Sequence, residues 1–342
     1  MSRQTLDIEH ADSLLEYLRR TERVGESEQP RVEVLRGGVS NRTVLVERAT
    51  GEGWVLKQAL AKLRVEVDWF SSPERIQREA LGLRWMGRLL SPGSTPALIF
   101  EDADQHLCAM EAVPRPHANW KSLLLAGDLR TDHIRKFGAM LGAIHREALK
   151  YSEDLRRAFE DRSYFESLRL EPYYTYTAEQ VPEAAPFLLK LTEETRATRL
   201  TLTHGDYSPK NILICGERMV LLDHEVIHFG DPAFDVGFSL THLLSKAHHL
   251  AGRRLDFAKA AEEYWWAYRQ ALGEIEWACA LEPRAVRHTL GCLMARVAGR
   301  SKLEYLDGSE RARQAKVVAQ MMHSTPVTVS SLVAEFVAHL AL

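Results

Sequence analysis

Four oxygen-bearing side chains stand at the ends of two short apolar segments. Asp206 and Asn211 precede the first segment, and Asp223 and Glu225 follow the second, with a turn at Gly216 between the segments. Two apolar segments joined by a short turn predict a β-hairpin, in which the start of one strand lies beside the end of the other. The four side chains are therefore expected to converge. Oxygen ligands with room for phosphate and water are what Mg²⁺ requires.

The four side chains differ in the chemistry that they offer. Asp206 follows Gly205 in a tight turn, where a carboxylate can accept the proton of an attacking hydroxyl. Asn211 offers a neutral oxygen and Asp223 a charged one to a cation. Glu225 lies two residues after Asp223, so on an extended chain both point to the same side. A base and cation ligands are two of the parts that phosphoryl transfer needs, and the third is a lysine on the phosphates.

The third part is found upstream. Lys57 lies in an apolar segment with strand character, and Glu79 adjoins the apolar stripe of a predicted helix, so the two could pair. A Gly37-Gly38 turn between two β segments could bring backbone N–H groups close to phosphate oxygens. Taken singly, each feature is common: a solvated lysine, an exposed helical glutamate and a plain hairpin turn. Their order along the chain favours the functional interpretation.

The pattern of apolar residues predicts an α+β fold with two lobes. Residues 1–113 show five strands with one helix after the third, which predicts a small antiparallel-sheet lobe that binds nucleotide. Pro114-Arg115-Pro116 then breaks the chain. Residues 114–342 predict a larger helical lobe with the catalytic loop and the acceptor site. Its predicted helices include residues 131–149, 285–304 and a final segment from about 311 to 342.

Composition excludes several classes of protein. The 342 residues carry a formal net charge of −3, which argues against binding nucleic acid through bulk positive charge. No apolar run reaches the length of a membrane span. The four cysteines are widely separated, which argues against a disulfide framework or a zinc site. We expect a cytoplasmic protein, a monomer or homodimer, without a nucleic-acid or membrane partner.

The motif His204-Gly205-Asp206-x-x-x-x-Asn211, followed by Leu222-Asp223-x-Glu225, resembles the aminoglycoside phosphotransferase / choline kinase superfamily, which has a protein-kinase-like fold. Three upstream motifs resemble that family's nucleotide loop, strand lysine and helix glutamate: Leu35-Arg36-Gly37-Gly38-Val39-Ser40-Asn41, Leu56-Lys57, and Arg78-Glu79-Ala80. Downstream, Gly230-Asp231-Pro232-Ala233-x-Asp235 resembles its later aspartate segment, in which Asp235 braces the catalytic loop. The resemblance covers roughly residues 30–300.

The resemblance implies a role for each motif residue. At the reaction centre, Asp206 is the catalytic base and Asn211 and Asp223 hold Mg²⁺. Glu225 is a second metal ligand or a substrate ligand. Contacts to ATP are implied for the following residues: Gly37, Gly38, Ser40, Asn41, Lys57 paired with Glu79, and the backbone of Glu111 and Val113.

Within the superfamily, two stretches are most similar to methylthioribose kinases. These are the segment from Leu56 to Val65 and the spacing Arg296-x-x-x-Arg300, and the likeness implies that both arginines contact the sugar. Two features depart from that pattern. Asn211 stands where those kinases usually have serine, and the two arginines are not adjacent.

The resemblance therefore implies an ATP- and Mg²⁺-dependent phosphotransferase that moves the γ-phosphate to a hydroxyl of a small molecule. Asp235 follows Asp223 too closely to leave room for a peptide-seating segment. Basic residues outnumber acidic ones from Lys246 to the end, which favours a neutral or weakly anionic sugar over a polycation. Three alternatives stay open: an aminoglycoside phosphotransferase, a nucleotide-binding pseudokinase, and a metal-dependent hydrolase.

Overall fold

The computed structural model describes residues 6–35, 38–65 and 67–341. The strands of these ranges are β1 Arg31–Val34, β2 Asn41–Glu47, β3 Gly53–Ala59, β4 Leu98–Asp102, β5 Leu107–Glu111, β6 Ala118–Asn119, β7 Thr201–Thr203, β8 Ile212–Cys215, β9 Arg218–Leu221 and β10 His228–Gly230. The helices are α1 Ala11–Arg20, α2 Arg75–Leu89, α3 Trp120–Leu125, α4 Thr131–Ala148, α5 Ser152–Ala158, α6 Ser163–Phe165, α7 Tyr176–Gln180, α8 Ala185–Ala197, α9 Pro232–His249, α10 Arg254–Leu272, α11 Leu281–Ala298, α12 Gly308–His323 and α13 Val329–Ala341. A π-helical segment, Glu166–Thr175, lies between α6 and α7.

The chain divides into two compact units. The first consists of Met1–His117 together with Cys215–Glu225, and the second of Ala118–Ile214 together with Val226–Leu342. The lobe boundary between residues 113 and 114 remains a prediction. The first unit also takes in the stretch that contains Asp223 and Glu225, which the sequence assigns to the second lobe.

The first unit is built on an antiparallel sheet with the strand order β1-β2-β3-β5-β4. This order confirms the predicted set of five strands with one helix after the third. Side chains of a strand alternate between the two faces of its sheet. Trp54 and Leu56 of β3 therefore pack in the hydrophobic cluster that contains the buried residues of α1. Val55 and Ala59 pack in the hydrophobic cluster that contains buried residues of α2. Lys57 shares the alternation of Val55 and Ala59, which places it on the α2 face.

The second unit is mainly helical, and α4 and α10 pack very closely within it. A Cβ atom on Gly142 of α4 would lie 2.5 Å from the carbonyl oxygen of Tyr268 and 2.9 Å from the Cβ of Ala271. A Cβ on Gly138 would likewise overlap the backbone of Tyr264. Glycine at both positions therefore permits the close contact of α4 with α10.

Helix α9 is buried from Pro232 to His248, including its only lysine, Lys246. A helix that is buried on every side is normally apolar all round. In the described ranges, no helix is long and apolar enough to cross a membrane.

One predicted helix end is wrong, and the helical final segment is interrupted. Helix α11 ends at Ala298 rather than Glu304, because the chain turns at Gly299, where a Cβ would lie 2.9 Å from the carbonyl oxygen of Pro172. The final segment is two helices, because Pro326 lies between α12 and α13 and proline cannot continue a helical hydrogen-bond ladder. The early end of α11 lets Ser301 fold back onto Arg296.

Candidate active site

Lys57 joins two carboxylates in the first unit. Its Nζ donates to Oε1 of Glu79 over 2.8 Å and to Oδ1 of Asp223 over 2.7 Å. The predicted pairing of Lys57 with Glu79 is thus present. The β3 alternation sets the direction of the lysine, and Glu79 comes from the buried face of α2.

The charges of this group depend on one another. Burial alone would lower the pKa of Lys57, but the charges of Asp223 and Glu79 outweigh burial and hold that pKa well above its ordinary value. Burial raises the pKa of Glu79 to about 7 despite the nearby lysine charge. Lys57 is therefore held as a cation between two acids.

Asp223 has an unusual backbone. Its φ is +70°, the left-handed region that residues other than glycine adopt only rarely. The next residue, His224, donates its backbone N–H to the second carboxylate oxygen of Glu79, and its ring lies 3.1 Å from the hydroxyl of Thr95. These contacts hold the turn in a conformation that costs of order 1 kcal/mol, and such strain is concentrated at functional sites.

Glu225 belongs to a second buried group in the first unit. Its Oε2 accepts from Nδ2 of Asn41 over 3.0 Å and from Nε of Arg75 over 3.1 Å. The other arginine nitrogens donate to backbone carbonyls of Ser40, Ser71 and Ser72. One oxygen of Glu225 is therefore used to hold the start of β2. The roles of Glu225 as a metal or substrate ligand remain predictions.

The remaining predicted nucleotide contacts lie on the same sheet. Gly38 is exposed and Ser40 is half-buried just before β2, Asn41 begins the strand, and Gly37 is outside the described residues. Glu111 ends β5, and its backbone N–H donates to the carbonyl of Ala97 over 2.9 Å. Val113 follows β5 and is half-buried. Their contacts to nucleotide remain predictions.

In the second unit, Asp206 is fixed at both carboxylate oxygens. Oδ1 lies 2.8 Å from Nη2 of Arg169, and Oδ2 accepts from Nδ2 of Asn211 over 2.7 Å. Arg169 also donates from Nε to the carbonyl of Gly205 over 2.9 Å. Each carboxylate oxygen has a further lone pair, so this fixed group can still accept a hydroxyl proton.

The backbone before Asp206 is anchored from α9. Oδ2 and Oδ1 of Asp235 accept from the N–H groups of His204 over 2.6 Å and Gly205 over 2.8 Å, which confirms the predicted bracing role. Burial opposes ionisation of Asp235, but the hydrogen bond from His145 outweighs it and holds the pKa below its ordinary range. Gly205 has a φ of +79°, and a Cβ there would lie 2.9 Å from the carbonyl oxygen of Val226.

Arg296 and Arg300 have different surroundings. Nη1 of Arg296 donates to Tyr173 Oη over 3.0 Å and to Ser301, whereas Nη2 of Arg300 lies 3.1 Å from a carboxylate oxygen of Glu171. Their predicted contacts to a sugar remain predictions.

Residues 31–275 match the family described as the phosphotransferase enzyme family, APH. The chain belongs to this phosphotransferase family. No curated protein matches the sequence. The family assignment confirms the superfamily resemblance.

Solved structures similar to this phosphotransferase share its fold at low sequence identity. One is amicoumacin kinase hAmiN in complex with AMP-PNP, Ca²⁺ and Ami: 15% identical, TM-score 0.63, covering 93% of this chain and 95% of that chain. Another is macrolide 2'-phosphotransferase MphH from Brachybacterium faecium, which is 18% identical with a TM-score of 0.54. The match covers 92% of this chain and 99% of that chain. A third is choline kinase LicA from Streptococcus pneumoniae, which is 13% identical with a TM-score of 0.53. The match covers 91% of this chain and 99% of that chain. Together with the observed sheet and helices, they confirm the two-lobed α+β fold.

The two predicted magnesium ligands, one in each unit, both carry side-chain oxygen atoms. Asn211 uses its Nδ2 for both hydrogen bonds to Asp206, so its amide oxygen is the atom suited to a cation. Asp223 supplies a carboxylate. Over residues 6–35, 38–65 and 67–341, no group of three or more His, Cys, Asp or Glu side chains is arranged to hold a metal.

The sequence did not single out Arg75 or Arg169, although both hold predicted site residues of this phosphotransferase. Arg75 precedes Glu79 by one helical turn, but nothing local marks its distant partner Glu225. Arg169 lies among the aromatic residues of the π-helical segment, which the sequence suggests only as packing. A π-helix is rare and occurs frequently at functional sites, but its presence is not readable from composition.

Proposed function

We propose that the protein is an ATP- and Mg²⁺-dependent kinase that transfers the γ-phosphate to a hydroxyl of a small molecule, a sugar or sugar-like compound. The observation that carries this proposal is Lys57, held between Glu79 and Asp223. Phosphoryl transfer depends on positioning and charge neutralisation, for which such a lysine is suited. The amicoumacin kinase is in complex with AMP-PNP and Ca²⁺, which supports use of ATP and a divalent cation here.

Each residue of the candidate site has a proposed role. Lys57 binds the α- and β-phosphate oxygens, and Glu79 orients the lysine. Asp206 accepts the proton of the acceptor hydroxyl, while Arg169 and Asn211 hold its carboxylate in one orientation. Asn211 and Asp223 hold Mg²⁺, which when bound neutralises charge on the phosphates.

The other interpretations receive less support. A metal-dependent hydrolase has no use for the Lys57–Glu79 pair. A pseudokinase is expected to lack the base or the metal ligands, whereas Asp206, Asn211 and Asp223 are all present. Methylthioribose, choline and an aminoglycoside are therefore the acceptors to compare in a screen.

Thermal stabilisation and ADP release test this proposal. ATP at millimolar concentration with Mg²⁺ is expected to raise the melting temperature of the wild type and of Asp206→Asn equally. Only the wild type releases ADP with an acceptor, because loss of a general base costs about 10²- to 10⁴-fold in rate. Asp132→Asn, an exposed acid on α4, serves as the matched control with wild-type turnover. Near-normal turnover by Asp206→Asn contradicts the assignment of the base, and no stabilisation by ATP with Mg²⁺ contradicts the kinase.

A further inference from the structure

The second unit contains a set of basic side chains that the steps above do not use. We call Lys121, His242, Lys246 and Arg296 the basic cluster. They come from α3, α9 and α11. Burial, followed by the charges of Arg296, Lys246 and Lys121, holds the pKa of His242 well below its ordinary value. Three helices thus bring basic side chains close enough together for their charges to interact.

Arg296 presents an unused edge. Its side chain is buried, with 9% of the residue exposed, and Nη1 is held by Tyr173 and Ser301. No described residue accepts a hydrogen bond from its buried Nε. The Nε–Nη2 edge of a guanidinium matches two oxygens of a carboxylate or phosphate. A guanidinium fixed on one side and unsatisfied on the other is arranged to bind an oxyanion.

Two hydroxyl groups next to Arg296 add donors. Tyr173 Oη accepts from Nη1 over 3.0 Å, and Ser301 Oγ accepts from the same nitrogen over 2.6 Å. A hydroxyl that accepts from a guanidinium keeps its own proton to donate elsewhere. The arginine therefore orients both hydroxyls as further hydrogen-bond donors. An anion can accept these hydrogen bonds, and a cation cannot.

Lys246 adds a second basic group that has no carboxylate partner among the described residues. It is fully buried, its Nζ donates to the carbonyl of His242 over 3.1 Å, and it lies 5.4 Å from the ring of Tyr305. Within the described part of the chain, no carboxylate lies at ion-pair distance from Lys246 or Arg296, and Glu304 is paired with Lys121. Buried charges are normally paired, because desolvation is costly. Burial therefore disfavours the charged form of Lys246 in the free protein, and an anion bound at the basic cluster would favour it.

The basic cluster is connected to the proposed base. The guanidinium carbons of Arg169 and Arg296 each lie 5.7 Å from the centroid of the Tyr173 ring. The two guanidinium groups are therefore separated by no more than about twice that distance. Arg169 is paired with Asp206. An extended acceptor with its hydroxyl at Asp206 is therefore the kind of molecule that would place a second group at Arg296.

We propose that the basic cluster binds an anionic group of the phosphoryl acceptor, so that the substrate is a hydroxylated carboxylate or a hydroxylated phosphate ester. This inference rests on the proposed kinase function. It narrows the acceptor class and disfavours polycationic acceptors, because their ammonium groups would meet the guanidinium groups of Arg169 and Arg296.

Binding of anions without nucleotide tests the cluster separately from catalysis. The probes are acetate, inorganic phosphate, D-gluconate and ribose 5-phosphate, with ribose and kanamycin as neutral and cationic comparisons, all at equal ionic strength. At about ten times the dissociation constant, at least one anion is expected to raise the melting temperature by about 3 °C. The shift is lost in Arg296→Gln and kept in Arg287→Gln, a matched arginine on α11 that is paired with Glu194.

The ranking of the probes identifies the anionic group. A larger shift with gluconate than with ribose 5-phosphate indicates a carboxylate, and the reverse indicates a phosphate ester. No shift with any of the four anions, an equal shift with ribose or kanamycin, or an unchanged shift in Arg296→Gln overturns the inference. Arg296→Lys retains the charge and is expected to recover part of the anion shift, which keeps the test valid if Arg296→Gln folds poorly.

ADP release separates the inference from the kinase proposal. With an anionic acceptor, Arg296→Gln is expected to raise KM about 10- to 100-fold while kcat stays within about threefold of the wild type, because Arg296 binds the acceptor away from the reacting atoms. If only neutral acceptors are turned over and Arg296→Gln has no effect, the anion-site inference is overturned and the kinase proposal stands. If anions raise the melting temperature in a way that depends on Arg296 but no acceptor causes ADP release, the anion site stands and the kinase proposal is overturned.

Discussion

Replacement of Lys246 by methionine tests whether the amine of α9 is a buried charge without compensation. Burial, then the charges of Lys121 and Arg296, lowers the pKa of Lys246 from 10.5 to about 7, with Glu304 acting in the opposite direction. Each pKa unit corresponds to about 1.4 kcal/mol, so the penalty in acid is about 5 kcal/mol. Methionine has a similar volume and no charge.

The substitution also removes two favourable contacts. The hydrogen bond from Nζ to the carbonyl of His242 contributes about 1 kcal/mol, and the contact with the Tyr305 ring contributes about 1 kcal/mol. We therefore expect Lys246→Met to raise the free energy of unfolding by about 2–3 kcal/mol at pH 6.5. In a unit of this size, the gain corresponds to about 4–10 °C in melting temperature.

The pH dependence gives the sharper test. The folded-state pKa of Lys246 is lower than its unfolded value, so the unfolded chain binds the proton more tightly between pH 7 and about 10.5. The penalty is complete below pH 7 and disappears as the pH rises to 10.5. Wild-type stability therefore rises across this range, and the advantage of Lys246→Met shrinks until the lost contacts dominate.

Thermal unfolding at pH 6.5, 8 and 9.5, in buffers without phosphate or carboxylate, measures this difference. Lys259→Met on the exposed side of α10 is the matched control and is expected to change stability by less than about 0.5 kcal/mol. A variant less stable than the wild type at pH 6.5, or a gain that does not change with pH, refutes the reasoning. In that case the charge of Lys246 is compensated in the free protein.

Two further predictions concern packing and buried pairing. Arg75→Met is expected to cost about 3–5 kcal/mol, because it leaves Glu225 charged and buried, and Arg75→Met with Glu225→Gln is expected to recover part of that loss in urea unfolding. Equal stability of the single and double variants would falsify this coupling. Gly142→Ala is expected to cost about 1–3 kcal/mol by urea unfolding, because its Cβ overlaps Tyr268, whereas Gly252→Ala, with open space around it, is the control. A neutral Gly142→Ala would show that α4 and α10 separate easily.

The sequence predicts those features whose cause is local. The alternation of β3 places Lys57 on the inner face, and the apolar stripe of α2 places Glu79 near it, so their contact follows from two periodicities. The Gly138 and Gly142 spacing predicts a close helix contact for the same reason. Predictions fail where a boundary depends on tertiary packing, as at Gly299, which ends α11 well before Glu304.

The arginines illustrate what local patterns do not contain. The family resemblance predicts Glu225 as a metal or substrate ligand, and its contacts with Arg75 and Asn41 depend on residues far away in the chain. Arg169 likewise reaches Asp206 from a π-helical segment, a conformation that no composition rule indicates. Long polar side chains have many possible partners, and only the folded chain selects among them.

Arg75 and Lys246 show how buried charge can indicate function. Both are fully buried in their units. Arg75 is satisfied, because a carboxylate and three backbone carbonyls accept from its nitrogens, and it therefore contributes to structure. Lys246 has one backbone carbonyl and an aromatic ring. Natural proteins often retain destabilising groups where activity requires them, so this buried amine supports the proposed anion site.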